Sequence, residues 1–198
     1  MFFIDGNPAL VPHDSACYDA AMHRGLVYTV RADAVVVYKL DTDDWKESQR
    51  FMTPCADSLL TKDDKDRHRH TLAITNTRIL VCCYVNHRIY EFSHLGELTD
   101  TRGRSCDECR DSDVTRDDRY GHFVYPAGVL CNPVICHADA EGTVLVADRG
   151  NHRLQILTSD GAWKIVQLSH ELNLPQAALC FNRKFVVDSK DEKLITFS

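Results

Sequence analysis

Short apolar runs rich in β-branched residues alternate along the chain with Gly-, Asn- and Asp-bearing turns, a rhythm that predicts strands and little helix. The clearest unit runs from Pro133 to Trp163. Ile135 to Asp139 forms a first strand, Ala140-Glu141-Gly142 turns the chain, and Thr143-Val144-Leu145-Val146-Ala147 forms a second. Asp148-Arg149-Gly150-Asn151 turns it again, Arg153 to Thr158 alternates, and Ser159-Asp160-Gly161 is a hairpin signal before Trp163. Three or four short antiparallel strands in about 40 residues make one blade of a β-propeller.

Other copies repeat the pattern. Asn86-His87-Arg88-Ile89-Tyr90-Glu91-Phe92 parallels Asn151-His152-Arg153-Leu154-Gln155-Ile156-Leu157, and Gly96 then falls where Gly161 does. Thr71 to Thr75 and Arg78 to Tyr84 supply the strands before it. A later copy has Lys184 to Asp188 as its inner strand and Lys193 to Phe197 as the next. A weaker one at the front uses Ala16 to Met22, Leu26 to Val30 and Val35 to Leu40, with a plausible outer strand from Trp45 to Phe51. The expectation is an all-β, single-domain propeller of about four blades spanning 1–198.

Two segments break the rhythm, at about 52–70 and 99–125, and both are charged. Asp148 and Asp188 are 40 residues apart whereas Asn86 and Asn151 are 65 apart, so about 25 residues are read as inserted between blades, as a loop at the rim. The last blade has little chain left for a fourth strand. Pairing the lone apolar run Phe2-Phe3-Ile4 onto it would close the ring and cover an edge.

Composition narrows the class. Hydrophobic residues at 44% and charged residues at 26% are those of a folded globular chain. No apolar run approaches the ~20 residues needed to cross a bilayer, and the first residues read as neither a secretory signal nor an anchor. Nine cysteines, an odd number with Cys82 and Cys83 adjacent in an apolar run, point to free thiols and a reducing, cytoplasmic location. A net charge of -6 weighs against bulk electrostatic coating of nucleic acid and leaves room for a local basic patch.

The stretch from Pro133 through Asp139, Gly142, Val144, Val146-Ala147-Asp148 and Asn151-His152-Arg153-Leu154 to Asp160-Gly161 resembles an NHL repeat, and Asn86-His87-Arg88-Ile89 repeats its core triplet. Three positions depart from the pattern. Ile135 stands where the family usually has glycine, Cys83 replaces the acid found at Asp148, and Asp191-Glu192-Lys193 stands in place of the triplet. NHL propellers commonly have six blades, so four implies a shortened relative, a partial chain or an assembly completed by other blades. The propeller is similar to the C-terminal module of tripartite-motif ubiquitin ligases, which recruits protein or RNA. RING and B-box domains need closely spaced zinc-ligand pairs, and this chain has a single C-x-x-C, so it is not expected to ligate ubiquitin.

The resemblance and the residues together imply a non-catalytic recognition module, binding a protein partner first and RNA as the alternative. His87, Arg88, Arg149, His152 and Arg153 are the candidate contacts. The competing reading of the same triplets is architectural: Asn86 and Asn151 take the left-handed turn geometry that asparagine tolerates, Arg153 pairs with Asp148, and Asp160-Gly161 closes a hairpin. Cys106 and Cys109 could form half a zinc site, completed by His122, Cys131, Cys136 or His137, but without a second close pair no bound metal or other cofactor is expected. Catalytic signatures such as Gly-x-Ser-x-Gly or His-Glu-x-x-His do not occur. Amidating lyases and lactonase-like hydrolases, which resemble NHL propellers and bind metal near the channel, keep an enzymatic alternative open.

Overall fold

A computed structural model describes residues 2–4, 7–9, 17–31, 33–41, 44–55, 70–109, 115–117, 122–166, 172–181, 184–188 and 194–197. It is a β-propeller. A hairpin of β1 (Phe2–Ile4) and β2 (Asn7–Ala9) precedes the first blade, made of β3 (Asp19–His23), β4 (Leu26–Val30), β5 (Ala34–Asp41) and β6 (Asp44–Met52). The second blade is β7 (Thr71–Ile74), β8 (Ile79–Cys83), β9 (Arg88–Phe92) and β10 (Leu98–Arg102). After it come β11 (Arg104–Ser105), the hairpin of β12 (Thr115–Asp117) and β13 (His122–Val124), and β14 (Val129–Leu130). The third blade is β15 (Pro133–Ala138), β16 (Val144–Asp148), β17 (Arg153–Leu157) and β18 (Trp163–Ile165). A three-stranded fourth blade contains β19 (Ala177–Phe181), β20 (Lys184–Asp188) and β21 (Leu194–Phe197). Helix among the described residues is confined to single turns at Cys106–Glu108 and Arg149–Asn151.

The middle strands β8 and β16 read as unbroken apolar runs because each is covered on both faces. Side chains of a strand alternate in direction, so β8 sends Ile79, Val81 and Cys83 into the core shared with the first blade, and Leu80 and Cys82 into the core shared with the third. In the same way β16 sends Val144 and Val146 towards the second blade and Leu145 and Ala147 towards the fourth. The outer strand β6 needs only occasional cover, and Trp45 and Phe51 are its buried residues. Apolar cores therefore lie between blades, and substituting a fully buried Leu80 would remove contacts from one of them alone.

Polar ties join the innermost strands laterally. Leu72 N–H donates to the Asp19 carboxylate at 2.8 Å, and Ile135 N–H donates to the Thr71 hydroxyl at 2.8 Å, so β3, β7 and β15 are linked in series around the axis. A cavity of 340 Å³ opens there, lined in part by Asp19, Ala21, Leu72, Ile74, Cys136 and His137.

Two expectations need revision. Phe2–Ile4 pairs antiparallel with Asn7–Ala9 rather than with the last blade, a local pairing that closes far less chain than a strand added to a distant sheet. The stretch read as beginning an insertion at 99 starts with a strand: β10 completes the second blade against β9. Beyond β10 the chain makes an excursion whose ends are stitched together by the parallel pairing of Arg104 with Val129 and Ser105 with Leu130. Most of the 52–70 segment, including the charge run from Lys62 to Arg69, lies outside the described residues.

Candidate functional site

Antiparallel order places the turns between second and third strands on one face of the propeller, together with the chain segments that pass between blades. Both triplets lie on that face. Asp148 ends β16 and is fully buried. Its Oδ1 accepts from Cys131 N–H at 2.7 Å, while Oδ2 accepts from Asn151 Nδ2, Arg153 Nε and Gln155 Nε2, each at 2.8 Å. Burial raises the carboxyl above its ordinary value, and Arg153 pulls it back. The Arg153 guanidinium also donates to the carbonyls of Tyr125, Pro126 and Val129. One carboxylate thus fastens the turn, its own blade and the returning end of the excursion.

The second blade repeats the backbone and changes the chemistry. Cys83 pairs with Arg88 across β8 and β9 as Asp148 pairs with Arg153 across β16 and β17. With no carboxylate opposite it, Arg88 donates to Gly103 O at 2.6 Å and to Glu108. In both triplets the left-handed residue is the histidine rather than the asparagine, with φ +55 at His87 and +54 at His152. The asparagines serve as ties instead: Asn86 donates to Pro54 O at 2.9 Å, and Asn151 to Asp148. Histidine tolerates the left-handed region better than most side chains.

All five candidate contact residues are brought to this face, and each has an internal partner. His87 Nδ1 accepts from Asn132 N–H at 2.8 Å, Arg149 donates to the Tyr84 hydroxyl at 2.9 Å, and His152 Nδ1 lies 3.2 Å from Leu172 O. The Arg149 and His87 contacts bridge the second blade to the third and its approach. Asp160 and Gly161 lie on the opposite face, in the turn before β18, where Thr158 hydrogen-bonds Asp160 and holds its carboxyl low.

Cysteines and histidines gather on the triplet face in a way the spacing did not foretell. Cys106 lies with Cys131 and His87, their ligand atoms within 4.8 Å of one another, while Cys109 is outside this group and meets Arg104. The Cys131 thiol beside it draws the Cys106 thiol below its ordinary pKa, and the same contact pushes Cys131 up. A second trio, Cys55, His70 and Cys83, is fully buried with the same 4.8 Å limit. The Cys55 thiol first, and then the nearby His70 ring, draw Cys83 below its ordinary pKa against the effect of burial, and the same contact drives Cys55 up. Cys83 reads in sequence as a core residue and His70 as the end of a charge run. The one signal available was that Cys83 stands where the next blade has an acid.

On the opposite face, the turn after β3 meets the turn before β10. His23 and His94 stack with ring centroids 5.4 Å apart, and Gly96 lies against Phe51. Met22, Leu95 and Leu98, in or beside these turns, are 57%, 77% and 50% exposed.

No protein-family model matches the chain, and no curated protein matches it. Solved structures do. The chain is similar to virginiamycin B lyase from Staphylococcus aureus, with a TM-score of 0.55 at 12% identity over 93% of this chain and 56% of that one. It is also similar to an auxiliary nutrient binding protein from Bacteroides thetaiotaomicron, with a TM-score of 0.56 at 16% identity over 91% and 47%. A protein of unknown function from the same bacterium gives 0.59 at 13% over 90% and 46%. The chain spans about half the length of these structures. At such identities the likeness shows one thing, the β-propeller fold.

Proposed function

We propose that this domain is a non-catalytic recognition module of NHL-like type that binds a protein partner through its turns, in a reducing, cytoplasmic setting. The observation that carries the reading is the commitment of the triplet arginines. Arg88, Arg149 and Arg153, the cations best placed to grip phosphate, each hold an internal acceptor. Nucleic-acid affinity rests on phosphate neutralisation by such groups. The opposite face offers protein-type anchors instead, with Leu95, Met22 and Leu98 exposed around stacked, half-buried imidazoles. Exposed apolar side chains rimmed by polar groups are what a polypeptide partner recognises.

The test pairs two probes on the full chain. A random peptide library displayed against the protein should yield apolar-anchored peptides that lose binding at least about tenfold, or about 1.4 kcal/mol, to a Leu95→Glu/Leu98→Glu variant. A diverse RNA pool in a filter assay should be retained weakly at physiological salt. A submicromolar, salt-sensitive RNA interaction that depends on Arg149 and Arg153 would reverse the ranking, and turnover of a lactone or an amidated-peptide precursor would overturn the non-catalytic reading.

A further inference from the structure

We propose that Cys55, His70 and Cys83 form a zinc site that fastens the segment leaving the first blade to the first two strands of the second. The three ligands come from separate places: Cys55 lies just after β6, His70 immediately precedes β7, and Cys83 ends β8. Their ligand atoms lie within 4.8 Å of one another. A tetrahedral zinc with thiolate and imidazole ligands needs edges of about 3.5–3.8 Å, so a small inward movement of side chains closes the set.

A further observation points to a ligand. His70 is 2% exposed, and neither of its ring nitrogens has a hydrogen-bond partner. A buried imidazole left so forfeits the free energy of its lost hydration, and a metal bond to one nitrogen restores an interaction there. The ring is also held in place, edge-on to Tyr18 with centroids 5.2 Å apart.

Charge and softness select the ion. Two thiolates and a neutral imidazole around a divalent ion sum to zero, which suits a buried site. Sulfur ligands disfavour magnesium and calcium, which take oxygen. Three protein ligands leave one position of the tetrahedron for a water molecule.

Binding takes both sulfurs as thiolates, releases to solvent whatever protons the pair still carries, and forms two Zn–S bonds and one Zn–N bond, with no oxidation or reduction. Native chain purified under reducing conditions, without a metal-binding tag, is expected to carry one equivalent of zinc. Cys83→Ser and His70→Asn should lose it, and Cys109→Ser, which lies outside both trios, should keep it. Chelation should lower the wild-type melting temperature by several degrees and zinc should restore it. Cobalt substitution should give the intense visible bands of tetrahedral thiolate ligation, absent from Cys83→Ser. Should that variant fail to fold, shown by circular dichroism, the wild-type chelation and cobalt spectra decide alone. A wild-type chain that neither carries zinc nor shifts on adding it overturns the proposal, as does zinc retained by a folded Cys83→Ser or a Cys55–Cys83 disulfide found in its place.

Discussion

At Asp148 four donors converge on a single buried carboxylate, and the residue matters more for what it joins than for its charge. Removing one partner of a buried ion pair leaves the other charge without compensation, so Arg153→Ala is expected to cost about 3–5 kcal/mol in urea denaturation. An unchanged midpoint together with lost partner binding would make Arg153 a contact residue instead. The Asp148–Arg153 pairing was legible in the sequence because the two bracket a turn between β-branched runs. The left-handed geometry was assigned to the wrong member of the triplet. Asparagine is the usual occupant of such a position, but here its amide is committed to Asp148 or to Pro54. The Cys55–His70–Cys83 trio was illegible for a plainer reason: its members are adjacent only after two blades have packed.

Elements meet through their turns, and two of these meetings can be probed. Gly96 has φ +81, and a Cβ there would fall 2.7 Å from Phe51 Cδ1. Gly96→Ala must both strain the backbone and push the turn off β6, which should cost about 1–3 kcal/mol, measured by thermal or chemical denaturation. The stacked pair His23 and His94 makes the same contact sensitive to pH. Burial holds the His23 pKa below its ordinary 6.5, and Arg24 and His94 lower it further. The unfolded chain therefore takes up a proton before the folded one does as pH falls. Stability from the neutral ring is fully present above about 6.5 and is lost progressively below it. A plot of melting temperature against pH should slope downward into that window, and His23→Gln should flatten it; an identical slope in the variant would place the effect elsewhere. Burial raises Asp19 and Asp148, so those carboxyls work with the opposite sign, and the difference between wild type and variant isolates the imidazole.

For the molecule as a whole, the blade rhythm, the strand positions and the turns were readable from period and punctuation, and most plainly at β8 and β16, which are buried on both faces and show it as unbroken apolar runs. Less readable was where the excursion after the second blade begins, since the polar run Leu98–Arg102 looks like a loop and is an edge strand whose side chains are largely open to solvent. The fate of the first apolar run also escaped the pattern, because a two-stranded hairpin and a strand added to a distant blade use the same residues. Successive blades place a carboxylate and a thiol at the same structural position, Asp148 in one and Cys83 in the other. Two neighbouring joints of one ring are consequently answerable to different agents: the carboxylate is neutralised by acid, and the buried sulfur is open to an oxidant or a soft electrophile once the joint between the blades opens. Chemical insult to such a ring would begin at a place chosen by the insult, and a cell that meets oxidants and acid at different times would perturb different blades.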